Sequence, residues 1–206
     1  MIPIYKAIIG DEIDGITAIS FVQEPAVECG FLQFDKQKKK LQFNVIDEVN
    51  RKVIAPIMRC NFPIYRWDAD LGEYYIVYTK EVIEVMARKM LKENSYLTMN
   101  EEHNPYRPMD GVYLEELFIK NTEKGLNPKG FEDIEEGSLF GVYSIDSNSV
   151  LEAIQKGVFT GISLEGNFSF GAPIYTMPEV TEEEDEIALL EEIFELLKEC
   201  KKQGIR

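Results

Sequence analysis

Apolar residues recur over the first 78 positions in short β-branched and aromatic runs, IPIYKAII, ITAISFV, LQFNV, KVIAPI and EYYIVYT, set apart by turn-forming residues. Runs of this kind, bounded by Gly, Pro, Asn and Asp, predict strands. WDADLGE predicts a hairpin turn, because its Asp68, Asp70 and Gly72 lack the frame and closing Glu of a calcium loop. The period then lengthens. In KEVIEVMARKMLKE, residues 80–93, Val82, Val85, Met86 and Met90 fall at helical spacing with charges between them, which predicts an amphipathic helix covering a sheet.

Strand patterns return in YLTM, in VYLEELFIK, whose length and apolar content predict a place near the centre of a sheet, in SLFGVYSI and in GISLEGNFSF. The polar loop NEEHNPYRPMDG precedes the second of these, a long connection fills 121–137, and a short helix is predicted over 147–156. From residue 177 the composition turns acidic. TEEEDEIALLEEIFELLKECKKQ opens with Thr181 and Glu184 in capping-box register, and Ile187, Leu190, Ile193, Leu197 and Cys200 form a seam for the body or for a second copy. These elements predict an α+β domain over residues 1–176 followed by an acidic C-terminal helix over 177–206.

A chain of 206 residues, 45% of them hydrophobic, can enclose a substantial core. The net charge of −15 sets nucleic acid aside as a partner, since phosphate binding needs clustered Lys and Arg. Cys29, Cys60 and Cys200 are far apart and read as reduced thiols, and no apolar run approaches a signal peptide or membrane span. The expectation is an intracellular protein with no membrane segment.

Candidate chemistry concentrates in a few residues. In GISLEG an extended backbone puts Ser163 and Glu165 on one face and Ile162 and Leu164 on the other, so one face predicts core and the other predicts chemistry. His103 is the single histidine and therefore the one obvious base near neutral pH. With only Glu101 and Glu102 beside it, it is too sparse for a zinc site, and no metal or cofactor is expected. A serine nucleophile needs a base and a group that orients the base. Glu116, predicted to share a strand face with Val112, Leu114 and Phe118, and Glu165 are the two candidate acids. The residues alone leave a bland alternative open, in which Ser163 is a small strand residue and His103 a solvated loop residue.

ITAISFVQEPAVE, DGVYLEELFI after the histidine, PKGFEDIEEGSLFGVYSID and VFTGISLEGNF resemble, in order and spacing, the XkdF-like phage serine protease family. The likeness runs from about Ile4 to Phe170. That family is grouped with phage prohead maturation proteases, and the resemblance implies their herpesvirus assemblin-like fold, a closed or nearly closed β-barrel surrounded by helices. It implies Ser163 as nucleophile and His103 as general base. For the third member it offers Glu116, which is favoured, and Glu165. The implied substrates and partners are the scaffolding protein and the major capsid protein, cleaved inside the assembling procapsid in the cytoplasm of the bacterial host, with self-processing and a homo-oligomer also expected. The rival expectation is a non-catalytic capsid-assembly protein that keeps the fold.

Overall fold

The computed structural model describes residues 2–10, 14–26, 44–47 and 51–177. In chain order its strands are β1 (Ile2–Ile8), β2 (Gly15–Val22), β3 (Asn44–Asp47), β4 (Lys52–Met58), β5 (Ile64–Asp68), β6 (Gly72–Val77), β7 (Met99–Glu101), β8 (Asn104–Pro108), β9 (Val112–Ile119), β10 (Leu139–Ile145), β11 (Gly161–Asn167) and β12 (Ser169–Met177). Helix α1 spans Lys80–Glu93 and α2 spans Asn148–Gln155. The fold is α+β and dominated by strands. The predicted C-terminal helix lies outside the described residues.

The strands pair into three four-stranded sheets, ordered β12-β1-β6-β5, β3-β4-β10-β9 and β11-β2-β7-β8. The barrel expected from the resemblance is corrected accordingly: among the described residues the ladders do not close into a barrel. The sheets enclose one main core, in which Phe21, Met58, Ile76, Ile83, Met86 and Tyr143 are almost completely buried. Burying each side chain of this size contributes on the order of 2 kcal/mol, so the core carries most of the driving force.

Helix α1 starts after Thr79 and ends where Asn94 turns left-handed and returns its N–H to the Met90 carbonyl. Its bounds match the apolar period, but its buried stripe is Val82, Ile83, Met86, Ala87 and Met90, and Val85 is exposed. Ile83 takes the place predicted for Val85 because the stripe that meets β2 includes the i+1 position.

Five other expectations change. β9 is an outer strand, not a central one. Its register against β10 shifts between Val142–Glu116 and Tyr143–Leu114, so Glu115 is an extra residue and Glu116 faces away from Leu114. YLTM is not one strand: its Tyr96 and Leu97 belong to a 3-10 turn over Ser95–Leu97, and its Met99 opens β7. The polar loop carrying His103 is a hairpin, and GISLEGNFSF is two strands with a break at Phe168. The β5–β6 hairpin, with Asp68 opposite Gly72, has its turn where WDADLGE predicts one.

The outer face of the β4–β10 pair is covered by a small second core of Ile54, Phe131, Ile134, Phe140 and Val142. The covering loop has no strand partner for its carbonyls, and a lysine supplies the donors instead. Lys120, 2% exposed, donates to the carbonyls of Phe131 (3.1 Å), Glu132 (2.8 Å) and Ile134 (2.6 Å). Three donors on one ammonium match this requirement. Arg59 pins the same loop by a two-pronged contact to Glu135. Lys120→Met, which keeps the stem and removes the donors, is expected to lower unfolding free energy by about 3 kcal/mol or more. Urea denaturation checks it: the midpoint falls, and an unchanged midpoint would mean that the ammonium does not hold the loop.

Candidate active site

The site lies on one face of the sheet ordered β11-β2-β7-β8. β11 runs antiparallel to β2 with Ser163 opposite Ser20, and β2 runs parallel to β7 with Ser20 opposite Asn100. Residues directly opposite in a ladder point to the same face, with Cβ atoms about 5 Å apart. Ser163, Ser20 and Asn100 therefore form a polar row across three strands. Glu165, two residues beyond Ser163, adds its carboxylate to the same face.

His103 reaches this row from the turn between β7 and β8. Glu101 pairs with Asn104, leaving Glu102 and His103 as a two-residue turn, and both have positive φ, 50° and 57°. That pair of left-handed residues is what a tight hairpin twisted like its strands requires. Neither is Gly or Asn, so the conformation is held from outside. The Glu102 amide donates to the Phe21 carbonyl at 3.1 Å, and the Glu102 carboxylate accepts from the Gln23 amide at 2.7 Å. The turn is thus fastened to the end of β2.

The side chains converge on one carboxylate oxygen. Glu165 Oε1 accepts from the Ser20 hydroxyl at 2.6 Å and from Asn100 Nδ2 at 2.7 Å, and His103 Nδ1 lies 3.4 Å from it. His103 Nδ1 is also 3.1 Å from Ser20 Oγ, and Ser20 Oγ is 2.9 Å from Asn100 Oδ1. Ser20, Asn100 and Ser163 are 0%, 4% and 5% exposed, whereas the imidazole is about half exposed. Partial burial raises the Glu165 pKa, but the donors from Ser20 and Asn100 and the adjacent imidazole outweigh it and hold the carboxyl below its ordinary 4.5.

Of the sequence-predicted residues, His103, Ser163 and Glu165 share this face. Glu116 does not join them: it is exposed on β9 of another sheet, where the bulge at Glu115 turns it outward. Among the described residues the Ser163 hydroxyl makes no hydrogen bond, and the hydroxyl in hydrogen-bond contact with the imidazole is that of Ser20. The predicted division of GISLEG into a core face and a chemical face holds only in part, since Ser163 is as deeply buried as Ile162 and Leu164. Sequence reasoning missed Ser20 and Asn100. The one signal for Ser20 is a hydroxyl inside ITAISFV, an otherwise apolar strand, and that signal names no partner. Cys60 is no rival nucleophile, because burial first, and then Glu135 and Glu81, push its thiol up.

The second glycine of GISLEG has a steric reason. A Cβ on Gly166 would sit 2.3 Å from the Gly15 carbonyl oxygen, so only glycine lets β11 approach β2 beside Glu165. A cleft of about 550 Å³, lined among others by Asp14, Arg66, Tyr78 and Phe168, opens at this end of β11. No family model, curated protein or solved structure matches the chain.

Two predictions test the site as a structural unit. Gly166→Ala is expected to cost about 1–3 kcal/mol, whereas Gly171→Ala, whose Cβ would meet nothing closer than 3.7 Å, changes stability by about 0.5 kcal/mol or less. Thermal unfolding of the two variants reads the contrast. Because the Glu165 carboxyl titrates below 4.5 in the folded protein, its contribution is full above the unfolded value and is lost as pH falls through the folded one. In denaturation series across pH, the advantage of wild type over Glu165→Gln should therefore be constant near neutrality and shrink below about pH 4.5. An advantage that grows on acidification would reverse the assigned direction.

Proposed function

We propose that the protein is a serine endopeptidase of the phage prohead maturation type, with Ser163 as nucleophile, His103 as general base and Glu165, in place of Glu116, as the acid that orients the imidazole. The observation that supports this reading is that His103, remote in sequence, meets Glu165 on the sheet face that also carries Ser163. Contact of Nδ1 with the carboxylate leaves Nε2 for the proton of the nucleophile. The alkoxide then attacks a peptide carbonyl, the amine leaves with that proton, and water releases the acyl-enzyme.

β11 is an outer strand of its sheet, which suits a substrate peptide adding as a further strand alongside Ser163. The resemblance supplies the substrate class: scaffolding protein and the major capsid protein, cut within the procapsid in the host cytoplasm. An assemblin-like ancestry and a homo-oligomer belong to the same proposal. The low exposure of Ser163, 5%, favours the alternative of a non-catalytic assembly protein unless the β11 edge yields to substrate.

The experiment is co-expression of wild type or Ser163→Ala with the capsid and scaffolding proteins of the same genome, with fragments read by mass spectrometry. Ser163→Ala and His103→Ala should each lower cleavage by about 10³-fold or more. Identical fragments from wild type and Ser163→Ala would defeat the assignment. Intact capsid and scaffold with every version would favour the assembly protein, and cleavage abolished by EDTA would indicate a metal hydrolase.

A further inference from the structure

Ser20 takes no part in the proposed bond-making steps, yet among the described residues its hydroxyl is closer to the imidazole than any carboxylate, 3.1 Å against 3.4 Å for Glu165. It is fully buried on β2, one strand in from the outer strand β11 that carries Ser163, so a peptide added at that edge does not reach it. Its surroundings constrain its one proton. Two oxygens can take it, Asn100 Oδ1 at 2.9 Å and Glu165 Oε1 at 2.6 Å, and the carboxylate, itself held by Asn100 Nδ2 at 2.7 Å, is the nearer and the charged one. With its proton given to either oxygen, the Ser20 hydroxyl can serve Nδ1 only as an acceptor. An unprotonated Nδ1 would then aim its lone pair at two oxygens with no proton between them, in a place where two of the three surrounding residues are buried.

We propose that Ser20 is a positioning residue whose hydroxyl bridges the His103 imidazole to Glu165 and fixes the Nδ1–H tautomer, leaving Nε2 as the basic nitrogen. Asn100 acts one step further out, holding the Glu165 oxygen where Ser20 meets it. The acid thus reaches the imidazole along two routes, directly and through a hydroxyl. Its meaning for catalysis rests on the serine endopeptidase reading; the tautomer itself does not.

The single histidine makes the test direct, because one imidazole spin system reports the site without assignment. Long-range nitrogen–proton correlation spectra of the full chain at about pH 9, above the ordinary imidazole pKa of about 6.5, should show the Nδ1–H form as the majority in wild type. In Ser20→Ala the population should move toward Nε2–H, and Ser20→Thr, which keeps the hydroxyl, should restore it. A wild-type majority of Nε2–H overturns the proposal and needs no variant. So does a Ser20→Ala population equal to wild type in a protein whose amide spectrum stays folded.

A parallel measurement separates this proposal from the protease reading. The rate of covalent labelling by a fluorophosphonate, followed by intact mass, should fall by about 10-fold or more in Ser20→Ala and recover in Ser20→Thr. Absence of labelling in wild type beside the expected tautomer shift would overturn the protease reading and leave the positioning role standing. Labelling of equal rate in wild type and Ser20→Ala would remove Ser20 from the proposed catalysis.

Discussion

Ser163, Ser20 and Asn100 stand in one row across β11, β2 and β7, and a slip of one residue in either pairing would send a member of that row to the opposite face. Everything proposed for the site depends on this register. It is set on the other face of the sheet, where Ile19, Phe21, Ile162 and Leu164 are buried in the main core. Hydrophobic burial, which is large and without direction, thereby fixes hydrogen bonds that are small and directional.

The polar row is costly to enclose and tolerates no missing partner. Ser20 and Asn100 are buried, and each lost hydrogen bond to a charged acceptor at such a place costs about 1.5–3 kcal/mol. Glu165 meets that demand by offering one oxygen to both residues, and its partly exposed carboxylate keeps contact with solvent. The same donors that satisfy the charge depress its pKa, so local stability and ionisation are a single property of the cluster.

The loop over the β4–β10 pair solves a similar problem with the charges reversed. There a buried ammonium, Lys120, satisfies three carbonyls, and beside it Arg59 holds Glu135. Both clusters place a charge where irregular backbone or crowded polar side chains lack ladder partners. They differ in exposure: the imidazole beside Glu165 is open to solvent, whereas Lys120 is sealed.

The amino-acid chain alone specifies the elements whose period is local. The bounds of α1, the hairpin turn after β5 and the strand character of β1, β2, β4, β6 and β10 follow from apolar spacing and turn residues, because these signals act over neighbouring positions. It also singled out His103, Ser163, Glu116 and Glu165, through scarcity and alternation, with Glu116 favoured as the acid. Which acid stands at the imidazole followed from long-range packing alone. β9 pairs into a different sheet and carries Glu116 off the site, and pairings between strands far apart in the chain brought Ser20 and Asn100 to Glu165. Alternation within a strand says which residues share a face, but not which strand lies beside it, since that choice is made by long-range burial and not by any neighbour in sequence.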